Sequence, residues 1–192
     1  MAAATGLAAI LAMAWPVAAD PAVCRIGGWS GDPAGMPVRA VPSDTARALG
    51  HLPPFVRDDD GDYGSGFDIL KARDGWLRIA GVTDAYRPSN RLPRRLFAGT
   101  GWVDGSSVRV AAQSGTGRAA PRADAPVIVS LGEEWLAGAG EVLAVTDCRG
   151  GWARLRYHLH AATRATGPRT GEAWFNGICP DQRTTCSATP PP

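Results

Sequence analysis

The densest cluster of residues that could bind a cation lies between positions 58 and 62. Asp58, Asp59, Asp60 and Asp62 are interrupted there by a single glycine, and hard cations such as Ca²⁺ take several carboxylate and carbonyl oxygens. A calcium loop of the EF-hand type also needs a bidentate glutamate at its last position, where this chain has Ile69. The cluster is therefore typical of a solvated acidic loop, and we predict no metal site in the chain.

A second group that could do chemistry is the pair His158 and His160, which alternation along a strand would place on one face. Two imidazoles do not complete a metal site, so we expect an exposed pair. Ser106, Ser107 and Ser130 lack the Gly-x-Ser-x-Gly frame of a nucleophile elbow. These patterns predict a protein that is not an enzyme and has no cofactor. The alternative is a small secreted hydrolase or metal-dependent enzyme that would use the histidine pair and the acidic cluster.

The four cysteines, Cys24, Cys148, Cys179 and Cys186, form an even set without the Cys-x-x-Cys spacing of a zinc site. In an oxidising compartment they predict two disulfide bonds. The end of one strand and the start of its antiparallel partner lie at the same end of a sheet. This geometry favours Cys148 with Cys179, or with Cys186 if the C-terminal residues fold back. Cys24 would take the remaining cysteine and tie the N-terminal strand to the second domain.

Residues 1–19 predict the compartment. They hold no charged side chain, and an apolar run over 7–15 is followed by the small residues of 17–19. This pattern is typical of a secretory signal peptide that is cleaved before Asp20. The run is too short to span a bilayer, and no later segment approaches ~20 apolar residues. We therefore expect a periplasmic or secreted protein whose mature chain has no transmembrane anchor.

Length and charge limit the organisation and the partners. The residues that follow the predicted signal peptide suffice for two small domains, each with a modest core. The formal net charge is +2, and no stretch interleaves basic with aromatic residues. A nucleic-acid-binding surface needs a strong basic patch or stripe, so no nucleic-acid partner is expected.

A repeated pattern organises the rest of the chain. Asp-Gly-Trp-Leu-Arg-Ile at 74–79 has a second version, Gly-Gly-Trp-Ala-Arg-Leu, at 150–155. Turn residues that tolerate positive φ, followed by alternating apolar positions, predict a strand, a tight turn and a second strand. Two flanking matches extend the repeat, pairing 38–43 with 117–122 and 101–105 with 173–177. Two copies in the same order indicate a tandem pair rather than a solenoid.

The first copy resembles the bacterial Src-homology-3-type (SH3-like) domain. The resemblance is carried by Val-Arg-Ala-x-Pro-Ser at 38–43, by Gly-Trp-x-x-Ile at 75–79, and by Gly-Trp-Val at 101–103. The second copy is a degenerate match at 118–121, 151–155 and 173–175. The resemblance implies an all-β fold of two tandem small SH3-like β-barrels after the cleaved signal peptide. The implied division is a signal peptide at 1–19, a first barrel at 20–110, a linker at 111–117, a second disulfide-braced barrel at 118–188 and a tail at 189–192.

In this family such domains are usually non-catalytic modules of envelope proteins or cell-wall enzymes, and some bind peptidoglycan or peptides. The resemblance therefore implies an exported, non-catalytic binding module of the bacterial cell envelope. Its partner would be a cell-wall glycan or peptide, or an envelope protein. We expect the first copy to present the binding surface, because it holds the acidic cluster and a long insertion at 81–99. The candidate binding residues are Asp58, Asp59, Asp60, Asp62, Tyr63, Tyr86 and Trp102.

The repeated tryptophans and arginines allow structural roles as well. Trp76 and Trp152 are expected in the core or over the end of a barrel, since a tryptophan covers a large apolar area. Trp102 is expected either to pack in the core or to line a peptide groove, as a tryptophan near the last hairpin can in this fold class. Arg39 and Arg118 are expected to bond loop carbonyl groups rather than a ligand.

Overall fold

A computed structural model describes residues 23–58, 61–84, 92–180 and 182 of the chain. Over these residues the protein is all-β, as predicted, with one short α-helix, α1 (Leu136–Ala139), and a 3-10 turn at Gly105–Ser107. No helix in this part of the chain is long and apolar enough to cross a membrane. The strands are β1 (Val23–Ser30), β2 (Met36–Arg39), β3 (Ala48–Leu52), β4 (Val56–Asp58), β5 (Gly61–Tyr63), β6 (Gly66–Arg73), β7 (Trp76–Thr83), β8 (Gly101–Asp104), β9 (Val108–Arg109), β10 (Ala111–Ala112), β11 (Thr116–Arg118), β12 (Val127–Ser130), β13 (Gly140–Arg149), β14 (Trp152–Leu159), β15 (Thr170–Phe175) and β16 (Ile178–Cys179).

The larger sheet has seven antiparallel strands in the order β3-β2-β8-β7-β6-β1-β9. Its central hairpin is the predicted one, with Arg73 opposite Trp76 across a two-residue turn. Asp74 and Gly75 have φ angles of 51° and 80°. Two successive positive φ angles give the turn whose twist matches that of the flanking strands, which explains why an Asp-Gly pair stands there.

The second sheet has five strands in the order β12-β11-β15-β14-β13. In the first sheet the corresponding strands are β3, β2, β8, β7 and β6, and they are arranged in the same order. The pairing agrees at the level of residues, because Arg118 lies opposite Trp174 as Arg39 lies opposite Trp102. The sequence repeat is therefore also a repeat of topology, although neither strand order closes on itself within the described residues. We call β1–β9 the first copy and β10–β16 the second copy.

Two short strand pairs complete the fold. β4 and β5 pair antiparallel, with Asp58 opposite Gly61. β10 pairs with β16 in a separate two-stranded sheet. The range 111–117, predicted to be a linker, contains β10 and the beginning of β11.

One hydrophobic cluster runs through both copies, because the inner faces of the two sheets supply the same continuous core. Alternation along the strands selects its members, so that Leu77 and Val103 are fully buried between the outward-facing residues of β7 and β8. The largest fully buried side chains are those of Met36, Leu52, Ile69, Leu77, Ile79, Leu136, Leu155, Tyr157, Leu159 and Phe175. The two copies therefore share one hydrophobic core.

The guanidinium group of Arg109 joins the two copies at the end of β9. Its Nη1 donates to the carbonyl oxygens of Ser106 at 2.7 Å and Leu143 at 3.3 Å. Burial lowers the pKa of Arg109, and the negative charges of Asp32 and Glu141 oppose that shift. The side chain therefore carries its charge into the junction between the copies and satisfies a carbonyl group on each side.

The disulfide bond between Cys24 and Cys148, with Cα atoms 5.5 Å apart, corrects the predicted pairing. The prediction that Cys148 pairs with Cys179 or Cys186 is wrong. It assumed that Cys179 ends the strand beside β14, but that strand, β15, ends at Phe175, and Cys179 lies on β16 in another sheet. β1 instead runs beside the β13–β14 turn, where Gly150 exchanges backbone hydrogen bonds with Val23 and Arg25 at 2.8 and 2.7 Å.

The expectation that Cys24 ties the N-terminal strand to the second copy is confirmed by this bond. Cys179 is also disulfide-bonded. Cys186 lies outside the described residues, and no cysteine inside them is free.

Candidate functional site

The candidate binding residues occupy different parts of the first copy. Asp58 and Asp62 lie on the β4–β5 hairpin. Tyr63, at the end of that hairpin, is buried. Asp59, Asp60 and Tyr86 lie outside the described residues. Trp102, on β8, is half-buried and faces outward, and a site can be built around it.

Trp102 stands in a row of side chains that crosses four strands. It lies opposite Arg39 on β2 and opposite Arg78 on β7, and Arg78 lies opposite Lys71 on β6. Residues paired across neighbouring strands share a face of the sheet. We call Arg39, Trp102, Arg78 and Lys71 the basic row. All four side chains are partly exposed.

Two of the three cations of the basic row donate hydrogen bonds to neutral groups. Arg39 donates from Nη1 to the carbonyl oxygen of Ala46 at 2.9 Å, which confirms the expectation that it bonds a loop carbonyl. Arg78 donates from Nη2 to the hydroxyl oxygen of Thr100 at 2.9 Å. Among the described residues, no carboxylate forms an ion pair with Arg39, Arg78 or Lys71. The row therefore presents three positive charges that no carboxylate of the described residues pairs with.

A neighbouring row on the same face adds a second tryptophan. Trp76 lies opposite Asp104 on β8 and opposite Arg73 on β6, two residues along each strand from the basic row. Trp76 is half-buried and faces outward rather than into the core. The outer face of this sheet thus combines two indole rings with an excess of positive charge.

The equivalent row in the second copy has the same framework and different charges. Arg118, Trp174 and Arg154 follow the same register, and Asp147 takes the place of Lys71. Arg118 donates to the Ala125 carbonyl oxygen at 2.9 Å, as Arg39 does to that of Ala46. Trp174 differs from Trp102 in being buried, with 7% of its surface exposed.

The rows differ most clearly in the group that binds the arginine next to the tryptophan on the hairpin strand, which is Arg78 in the first copy and Arg154 in the second. Arg154 forms an ion pair with Glu172, with 2.9 Å between Nη2 and Oε2. Glu172 precedes Trp174 by two residues, and Thr100 precedes Trp102 by two residues. The same position therefore gives the arginine a carboxylate in the second copy and a hydroxyl group in the first.

The chemistry available on the basic row is recognition. A planar guanidinium group donates several hydrogen bonds and matches the two oxygens of a carboxylate, and an indole face offers apolar contact area. The row combines two guanidinium groups, one ammonium group and one indole ring. It can bind a ligand that carries negative charge beside a flat apolar surface.

The histidine pair lies far from this row in the sequence. His158 is exposed at the end of β14, and its Nδ1 lies 2.9 Å from the Thr170 hydroxyl oxygen. His160 is exposed beyond the strand. Within the described ranges, no group of three or more His, Cys, Asp or Glu residues is arranged to hold a metal ion.

Sequence reasoning missed Lys71 and Arg78 as members of the site, although a signal for them was present. A two-residue turn at 74–75 places Arg73 opposite Trp76, and counting outward from it places Lys71 opposite Arg78. The alignment of Arg39 with Trp102 joins residues that are 63 positions apart in sequence, which local patterns do not specify.

A scan against protein-family models finds no match, and neither a search of curated proteins nor one of solved structures finds a similar protein.

Proposed function

We propose that this protein is an exported, non-catalytic binding module of the bacterial cell envelope that binds peptidoglycan through the basic row. The observation that carries the proposal is the half-buried Trp102 between Arg39 and Arg78 on an outward-facing sheet. Peptidoglycan offers what such a surface recognises, since its sugar rings and peptides present flat apolar faces next to carboxylates. A peptide ligand and an envelope protein are the alternatives that the experiment below separates from it.

We also propose that the two copies are SH3-like units in tandem. The resemblance at 38–43, 75–79 and 101–103 supports this assignment. The common strand order of the two sheets supports the tandem relationship. So does the shared contact in which an arginine of the first motif, Arg39 or Arg118, reaches a carbonyl oxygen seven residues later.

Export is supported by the signal-like pattern of residues 1–19 and is compatible with the Cys24–Cys148 bond, because disulfides persist in oxidising compartments. Expression in a bacterial host with N-terminal sequencing of the periplasmic or secreted product tests it. The expected product begins at Asp20. A product that stays in the cytoplasm with residues 1–19 attached contradicts the export part of the proposal.

Co-sedimentation with purified sacculi tests the ligand. The chain from Asp20 onward should pellet with sacculi at low salt, and Trp102→Ala should remain largely in the supernatant. Trp135→Ala is the matched control, because Trp135 is 44% exposed in the second copy and lies outside both rows. If the unaltered chain stays wholly in the supernatant, peptidoglycan is not the ligand. A pull-down from the native envelope, compared between the unaltered chain and Trp102→Ala, then identifies the peptide or protein partner.

A further inference from the structure

We infer that the basic row recognises the carboxylate groups of its ligand, and that the second copy has lost this capacity because Glu172 occupies the corresponding position internally. The inference rests on the proposed function and deepens it by naming the chemical group that is bound. The position that decides whether the arginine next to the tryptophan has an internal carboxylate partner is Thr100 in the first copy and Glu172 in the second.

The two copies differ in the charges that face each other across the central hairpin. Lys71 and Arg78 are directly opposite each other, and like charges in that position destabilise a sheet. The corresponding pair in the second copy is Asp147 with Arg154, which has opposite charges. The first copy therefore keeps an unfavourable arrangement where its counterpart has a favourable one. A carboxylate that docks between Lys71 and Arg78 removes that repulsion.

The contacts of Arg78 and of its counterpart Arg154 also differ. Glu172 places a carboxylate oxygen 2.9 Å from Arg154 and two residues from Trp174 along β15. This ion pair shows that the framework of the row can hold a carboxylate beside the arginine. Thr100 is exposed and accepts one hydrogen bond from Arg78. The other donors of the Arg78 guanidinium group have no carboxylate partner among the described residues.

The tryptophan next to this arginine is exposed to a different extent in the two copies. Trp174 is buried, whereas Trp102 is partly exposed beside Arg78. The first copy therefore offers an apolar ring face beside a central arginine that no described carboxylate pairs with. In the second copy the corresponding ring is buried and Arg154 is paired with Glu172. A carboxylate attached to a sugar ring or to an aliphatic peptide stem meets both requirements.

The experiment uses sacculi stripped of phosphate-bearing polymers by acid, so that carboxylates are the remaining anions. Half of the preparation is converted to amides with a carbodiimide and ammonia. The unaltered protein should bind the untreated sacculi about tenfold or more tightly than the amidated ones. Thr100→Glu gives Arg78 the internal partner that Arg154 has, and it should weaken binding to untreated sacculi by a similar factor. Ala161→Glu is the control for net charge, because it adds the same charge at an exposed position of the second copy.

The results separate the inference from the proposed function. Equal binding of the unaltered protein to untreated and amidated sacculi overturns the inference and leaves peptidoglycan binding intact. Binding by Thr100→Glu that equals that of Ala161→Glu also overturns it, provided that both variants melt at the temperature of the unaltered protein. Failure of the unaltered protein to bind either preparation overturns the inference together with the proposed function.

Discussion

Gly105 lies so close to Val145 that a side-chain carbon on the glycine would overlap the Val145 carbonyl oxygen. The Gly105 amide donates to the Gly75 carbonyl oxygen at 2.9 Å, which fixes the 3-10 turn to the β6–β7 turn of the first copy, and the 3-10 turn packs against β13 of the second copy. This approach of two backbones requires a residue without a Cβ atom. The junction between the copies therefore depends on Gly105.

Gly105→Ala should lower the free energy of unfolding by about 1–3 kcal/mol, because the added methyl group must push two packed backbones apart. Urea unfolding followed by tryptophan fluorescence measures the change. Gly66→Ala is the control, since a Cβ at Gly66 meets no atom within 4 Å. Equal free energies of unfolding for Gly105→Ala and Gly66→Ala would show that the two backbones at the junction can separate without loss of stability.

Replacing both Cys24 and Cys148 by serine should lower the free energy of unfolding by about 2–4 kcal/mol, because the bond closes a loop of more than a hundred residues in the unfolded chain. Peptide mapping without reductant should recover the Cys24 peptide joined to the Cys148 peptide. A peptide that joins Cys148 to Cys179 would restore the pairing that the sequence suggested and contradict the structure.

Tyr157 makes stability depend on pH in the alkaline range. Its hydroxyl group donates to the Pro168 carbonyl oxygen at 3.1 Å, and its ring meets Phe175 edge to face. Burial raises the pKa of Tyr157 above its usual value of about 10. The unfolded chain therefore loses this proton at a lower pH than the folded one. The resulting stability is fully present below about pH 10 and is lost as the pH rises through the raised pKa.

Tyr157→Phe should remove this part of the pH dependence, and it should cost about 1 kcal/mol at neutral pH through the lost hydrogen bond. Urea unfolding of both proteins at neutral pH and above about pH 10 provides the comparison. If the two stability curves remain parallel through the alkaline range, ionisation of Tyr157 is not linked to unfolding.

Asp84 holds the base of the 81–99 insertion. Its buried carboxylate accepts a hydrogen bond from the Arg94 amide at 2.6 Å and lies 3.2 Å from Arg94 Nε. Asp84→Ala should destabilise the protein by about 1–3 kcal/mol, because it leaves these donors without their acceptor. Asp124→Ala, which breaks the exposed pair with Arg122, should have little effect in the same thermal unfolding assay. Equal losses in the two variants would contradict the assigned role of Asp84.

The features that the sequence predicted correctly are those that residues close together in the chain determine. Asp74 and Gly75 specify a turn through their own backbone preferences, and that turn sets the register from which Lys71 and Arg78 meet. The all-β class, which the resemblance implied, and the expected carbonyl contact of Arg39 are also found in the structure.

What the sequence did not predict depends on packing between distant strands. The disulfide prediction failed because the chain turns at Gly177, with a φ angle of 63°, and carries Cys179 into a separate sheet. The approach of Gly105 to Val145 has no periodic signature in either segment, since it arises only when the two copies pack together. The outward-facing position of Trp76, which was expected in the core or over the end of a barrel, was missed for the same reason, and the role of Trp102 was left open. Alternation identifies a face of the sheet but not whether another element covers it.

The Cys24–Cys148 bond has a consequence for how the protein is made. Cys24 is synthesised early, and its partner follows only after most of the chain has left the ribosome. The chain has no other cysteine before Cys148, so any earlier disulfide of Cys24 is a mixed disulfide with a separate thiol-bearing molecule and must be exchanged later by attack of the Cys148 thiolate. Covalent closure is therefore a late event in the biosynthesis of this fold, and oxidation of the growing chain before that point would leave Cys24 bonded to another molecule.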